Sequence, residues 1–202
     1  MWNEENYMES EVEELRQQLE AAQRKISMLE ARVNEDELLG VLNRRGLEQE
    51  IDKAIGFSSR YGMVASLNYA DLDDFKQVND SFGHDTGDSA LRHLVGVMEN
   101  NIRTSDVVGR VGGDEFVLLL WNATLEIAQS KANVLREALQ RRPVVAGGST
   151  LFLSFSCGVA ELRADDTPAV ALARADQAMY FAKKQRKGSY SMSRNINMAR
   201  AS

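Results

Sequence analysis

The chain has 202 residues, 44% of them hydrophobic and 27% charged, with a formal net charge of −6; that is enough apolar content for one globular core plus an extension. The acidic balance argues against nonspecific DNA or RNA binding, which rests on neutralising phosphates, so no nucleic-acid partner is expected and an anionic substrate would need a metal ion or a local cationic pocket. A single cysteine, Cys157, excludes a disulfide framework and a cysteine-built metal site, no apolar run approaches the roughly 20 residues of a membrane span, and the start MWNEENYMES is no signal peptide, so a soluble cytoplasmic protein is expected.

Residues 1–35 read as one long helix without Gly or Pro. Met8, Val12, Leu15, Leu19, Ala22, Ile26, Leu29 and Val33 alternate steps of four and three. That is a heptad seam with Val12, Leu19, Ile26 and Val33 at a and Leu15, Ala22 and Leu29 at d; it stops where Asp36 takes the next d position. In a parallel dimer Glu11 would face Arg16 and Lys25 would face Glu30, and mostly β-branched a positions with Leu at d favour two strands. The competing reading is one amphipathic helix packed on its own domain.

Residues 36–190 alternate helical and strand patterns. NRRGLEQEIDKAI places Leu47, Ile51, Ala54 and Ile55 on one helical face, and GMVASLNYADL is a strand running into a loop. DTGDSALRHLVGVMENNI is a helix with Leu91, Leu94, Val95 and Met98 inward, and DVVGRVGGDEFVLLLW is two strands joined across Gly-Gly. NATLEIAQSKANVLREALQ is a helix, and VVAGGSTLFLSFSCGVAEL reads as a second hairpin-like pair. Thr167 and Pro168 are the N-cap and first residue of a helix to about Lys184, and the polar tail 191–202 is expected to be flexible. Strands interleaved with helices give an α/β or α+β domain.

Chemistry concentrates in the loops. ADLDDFKQVNDSFGHDTGD is crowded with carboxylates, but it is no EF-hand, because Lys76 and Phe82 stand where the calcium loop requires Gly and Glu. GRVGG is not a dinucleotide fingerprint, and no phosphate-binding P-loop sequence is present. What remains is Asp71 at a strand end, a turn leading into a helix start whose free N–H groups suit phosphate, and Lys76 within reach of it. A tight turn does not need Asp114 and Glu115 directly ahead of a buried strand; that placement fixes two carboxylates on a rigid element, as a Mg²⁺ site requires. An acid-rich solvated surface is the alternative.

These residues together resemble the GGDEF family, the diguanylate cyclases. DLDDFKQVND, FGHDTGD, RTSD, GRVGGDEF, SFSCGVA and ADQAMYFAKK stand in the family's order and near its spacing, between Asp36 and Gly188. The resemblance implies a central, mainly antiparallel sheet flanked by helices, akin to nucleotide cyclase and polymerase palm domains. It implies condensation of two GTP into cyclic di-GMP, with Mg²⁺ as cofactor and Mn²⁺ as an alternative. Asp71 and Asp114 would ligate the metal through carboxylates and Leu72 through its carbonyl. Lys76, Lys183 and Lys187 would bind phosphates, with Gly112 and Gly113 letting GTP approach the backbone. Asn79 and Asp88 would read guanine, and His84 would shape the nucleotide site. Asp114 is the usual acceptor of the 3′-OH proton, with Glu115 as its rival. One site holds one GTP, so two domains must meet, and the heptads would supply a parallel homodimer. Arg103 and Asp106 form the RxxD pattern of the family's inhibitory product site, with Arg110 as a third member by position.

Two departures stand out. Leu39 occupies the place of the family's Thr in DELLG, and AKKQRKG replaces AKxxGRN, which alters the turn around Arg186 and Lys187. His93, Cys157 and Trp121 read as structural. A catalytically silent cyclic di-GMP receptor and a dimerising output module are the other functional readings. Either a longer sensor protein with an upstream domain or a short stand-alone protein fits a coiled coil that begins near residue 1.

Overall fold

The computed structural model describes residues 4–146 and 149–199. Helix α1 (Glu4–Asn34) precedes a domain whose elements follow in the order α2 (Arg44–Tyr61), β1 (Ala65–Leu72), α3 (Phe75–Phe82), α4 (His84–Glu99), β2 (Val107–Arg110), β3 (Glu115–Trp121), α5 (Leu125–Arg141), β4 (Val144–Ala146), β5 (Ser149–Leu151), β6 (Phe155–Glu161) and α6 (Pro168–Ala199). The main sheet has the order β2-β3-β1-β6, and every neighbouring pair in it is antiparallel. This is the sheet-and-helix architecture that the sequence pattern implies.

Strand β1 lies inside the sheet and is buried along its whole length. Its side chains alternate between two cores, as the two-residue strand repeat requires. Ala70 and Leu72, with Phe116, Leu118 and Leu120 of β3, pack against α4 and α5. Leu67 and Tyr69, with Val117 and Leu119, pack against α2 and α6. Two polar residues on β1 are accommodated by backbone acceptors: Ser66 Oγ donates to Ala123 O at 2.8 Å and Asn68 Nδ2 to Ala128 O at 2.9 Å. Asp71, in phase with Leu67 and Tyr69, therefore faces the α6 side.

Local signals explain the element ends. Asn43 caps α2 by accepting from Gly46 N at 3.0 Å, and Gly62, at φ 65°, closes it. Thr124 caps α5 and Thr167 caps α6, each through Oγ1 at 3.4 Å. Asp166, just before α6, holds a two-pronged pair with Arg174 at 2.8 and 2.7 Å and accepts from Arg163 N at 2.9 Å. Burial alone would raise the Asp166 carboxyl, but the Arg174 bonds outweigh it and hold it below the usual carboxylate range.

The structure departs from the sequence reading in two places. The segment expected to form one hairpin-like pair makes three strands: β4 and β5 form a separate hairpin, while β6 joins β1 in the main sheet. Helix α6, expected to end near Lys184, continues to Ala199. The turn after Asp71 leads into α3, a helix of eight residues. Among the described seam residues of α1, Val12, Leu15, Leu19 and Val33 are 45%, 58%, 59% and 45% accessible, so this apolar stripe is not packed on its own domain. Ile26 and Leu29 lie outside the described side chains. No helix among the described residues is long and apolar enough to cross a membrane.

Candidate active site

Register brings the carboxylates together. Asp71, at the end of β1, stands directly opposite Glu115 at the start of β3. Leu72 N donates to Asp114 O at 3.1 Å, which ties the hairpin to the strand end. Lys183, projecting from α6, makes an ion pair with Asp71 Oδ1. Burial would lower the Lys183 ammonium, but the hydrogen bond to Asp71 and the nearby Asp73 and Asp114 raise it instead. Asp114 is raised first by burial and then by the charge of Asp71; Glu115 is raised by burial and by Asp71, Asp176 and Asp114. Tyr69, two residues before Asp71 on the same face, hydrogen-bonds Glu115 through its side chain.

The hairpin's glycines divide the work. A Cβ on Gly112 would overlap the Glu115 carboxylate, whereas one on Gly113 would meet nothing within 4 Å. Open backbone is therefore offered at Gly113, and Gly112 makes room for Glu115. Arg110 braces the same turn, donating to Gly112 O at 3.0 Å and to Gly113 O at 2.7 Å. Its other nitrogen donates to Asp36 Oδ2 at 3.0 Å.

Asp73 was not singled out by sequence, yet it fastens the loop above the site. It accepts from Ser154 Oγ at 2.9 Å and Ser156 Oγ at 2.7 Å, and its N–H donates to Ser154 O at 2.8 Å. The alternating serines of LSFS were the available signal. The second lobe is the α3–α4 corner. Lys76 is exposed near the start of α3, Asn79 is half-buried in the same helix, and His84 and half-buried Asp88 lie in the first turns of α4. Asp88 approaches Arg92 at 4.0 Å. Lys187 lies outside the described side chains.

Among the described residues, no three His, Cys, Asp or Glu side chains converge as a finished metal cage. The donors nonetheless suit one hard cation: the charge of Asp71 helps to raise the Asp114 carboxyl, and Leu72, whose N–H bonds Asp114 O, follows Asp71 in the chain. Mg²⁺ commonly takes one or two carboxylates and completes its shell with water and substrate phosphates.

The RxxD pair lies elsewhere. Arg103 and Asp106 line a groove of about 390 Å³ with Gly40, Leu42, Glu99 and Ile102. Asp106 is committed to structure, accepting from Arg103 N at 3.0 Å and Trp121 N at 3.1 Å, while the Arg103 side chain is exposed. Arg110 is not among the groove's lining residues; its guanidinium belongs to the hairpin turn. The residues read as structural are so. His93 Nε2 lies 2.7 Å from Arg142 O, Trp121 packs edge-on to Phe57 at 5.8 Å, and burial pushes the Cys157 thiol up to about 12.

Comparison with known proteins agrees with this geometry. The family model described as diguanylate cyclase, GGDEF domain, matches residues 33–189. The diguanylate cyclase DgcP of Pseudomonas aeruginosa is 34% identical over 149 residues, which cover 74% of this chain and 22% of that protein. The chain thus spans about a fifth of that relative's length. A crystal structure of the diguanylate cyclase SiaD from Pseudomonas aeruginosa, in complex with its activator SiaC, superposes with a TM-score of 0.76 at 32% identity, covering 90% of this chain and 70% of that one. The coiled coil and GGDEF domain of DgcB from Caulobacter crescentus, at 22% identity and a TM-score of 0.78, covers 88% of this chain and 95% of that one and shares the fold. With the match running from the end of α1 through the hairpin to Lys183 and beyond, the chain belongs to the GGDEF-domain family of diguanylate cyclases.

Proposed function

We propose that the domain condenses two GTP molecules into cyclic di-GMP and releases two pyrophosphates. The observation that carries this is the meeting of Asp71, Asp114 and Lys183 at the mouth of the β1–β3 pair. In each half-reaction the 3′-oxygen of one GTP forms a bond to the α-phosphorus of the other. The bond from that phosphorus to the β-phosphate bridge breaks, and pyrophosphate leaves with its electron pair. Asp71, Asp114 and the Leu72 carbonyl would hold Mg²⁺, or Mn²⁺, which would offset the charge of the triphosphate.

The chain's own groups supply the rest. Asp114, at the hairpin beside the end of β1, is the residue we assign to take the 3′-OH proton. Glu115 shares the raised carboxyl but is engaged by Tyr69 and folded over Gly112, which favours Asp114 for that role. Lys76 and Lys183 would hold the phosphates and stabilise departing pyrophosphate. Asn79 and Asp88 would read guanine, whose N1–H and 2-amino group give a carboxylate two donors that adenine lacks. The exposed α1 seam supports a parallel homodimer that brings two half-sites together. The groove at Arg103 supports product inhibition there, since a guanidinium both stacks on guanine and forks onto phosphate.

The test is incubation of the purified chain with GTP and Mg²⁺ over a range of protein concentrations, following cyclic di-GMP and pyrophosphate. Product formation rising faster than linearly with protein is expected. Binding of cyclic di-GMP without turnover at any concentration would replace the enzyme reading with that of a receptor.

A further inference from the structure

Glycine is an unfavourable residue inside a helix, where alanine is the best. Gly87 lies inside α4 and is buried. Its φ is not in the left-handed region, so no backbone strain requires glycine there. What requires it is a neighbour. A Cβ built on Gly87 would overlap Asn79 Oδ1 outright, and it would stand 3.0 Å from Asn79 Cγ and 3.3 Å from Phe75 Cζ. The amide of Asn79 thus lies flat on the bare backbone of α4.

The surroundings leave Asn79 few other supports. Helix α3 has no buried residue of its own. It meets α4 at a corner whose joint is Gly83, at φ 84°, and Thr86 Oγ1 pins the last turn of α3 by donating to Phe82 O at 2.9 Å. Phe75 and Asn79, four residues apart and on one helical face, both rest on Gly87. Asp88, the other residue assigned to guanine, is the next residue in the chain. The spacing between the two guanine-reading groups is therefore set at Gly87.

We infer that Gly87 is a positioning residue for guanine recognition, acting through the Asn79 side chain; this rests on the assignment of Asn79 to guanine made above. The atom that a Cβ would strike is the free end of a side chain, so Gly87→Ala can be absorbed by swinging Asn79 to another rotamer. The fold survives and the guanine contact does not.

The test is a double-mutant cycle on the full chain. Affinity for a non-hydrolysable GTP analogue is measured by calorimetry in the presence of Mg²⁺ for wild type, Gly87→Ala, Asn79→Ala and the double variant, with thermal melting of each. Gly87→Ala should melt no lower than wild type and bind the analogue about tenfold more weakly, as loss of one buried polar contact predicts. It should also discriminate less against the ATP analogue. In the Asn79→Ala background, which has no amide to displace, the same substitution should change affinity by less than about twofold. Unchanged affinity in Gly87→Ala, or a loss that persists in the Asn79→Ala background, would overturn the role of Gly87 while leaving Asn79 in place. If Asn79→Ala alone binds as wild type does, the assignment of Asn79 to guanine fails instead, whatever Gly87→Ala does.

Discussion

Burial and then the charge of Asp71 raise the carboxyls of Asp114 and Glu115. A carboxyl whose folded pKa lies above its unfolded value contributes stability below the ordinary carboxylate range and loses it as pH rises through the folded value. The metal-free protein should accordingly lose melting temperature as pH rises through and just above that range. Asp114→Asn should flatten this slope and melt higher at neutral pH, by about 2–4 °C for each kcal/mol relieved. The same variant should lose at least about 100-fold in turnover. Calorimetry in chelator and a turnover assay check both, and a lower melting point for Asp114→Asn at neutral pH would contradict the electrostatic account. Asp166 has the opposite sign. Its folded carboxyl is depressed, so its contribution is present above the unfolded value and lost as pH falls through the folded one. Asp166→Ala should cost about 2–4 kcal/mol at neutral pH, by stripping Arg174 of a sealed partner, and the difference from wild type should shrink as acid protonates the native carboxylate.

Between elements, a run of hydrogen bonds links the end of α1 to the β2–β3 hairpin. Asn43 Nδ2 donates to Val33 O at 2.8 Å and so clasps the last turn of α1. Asp36 closes the following turn by accepting from Leu38 N at 3.1 Å and Leu39 N at 3.0 Å, so the turn forms with Leu39 in place of the family's Thr. Its other oxygen reaches Arg110, which grips the Gly112 and Gly113 carbonyls. Arg110→Ala should therefore lower turnover by about tenfold through a loosened turn, within the range that one lost charge-assisted contact supplies. Cyclic di-GMP affinity at the Arg103 groove should be unchanged. Loss of product binding with turnover intact would return Arg110 to the inhibitory site. The helices, β1 and the β2–β3 hairpin were legible because apolar spacing and Gly-Gly report local geometry. The pairing of β6 with β1 was not, because strand partners far apart in sequence leave no periodic trace. The same holds for the site: Asp71 and Asp114 could be named from their loops, but the Asp73 clamp and the Asn79–Gly87 contact depend on distances that only the folded chain creates.

At the scale of the molecule, one domain carries one set of carboxylates, and in the proposed homodimer the exposed α1 stripe would be the surface by which a second set is supplied. Inserting residues between Ala22 and Gln23 should rotate the downstream domains relative to each other. Turnover should then vary with insertion length while affinity for a GTP analogue stays constant; turnover indifferent to length would remove the helix from catalysis. The Lys183–Asp71 pair has a separate consequence. The Lys183 ammonium is a built-in counter-charge to Asp71. On the proposed assignment the same ammonium also serves the phosphates. It would turn to them by giving up Asp71, so the arrival of another cation at Asp71 and the release of the lysine would be a single exchange.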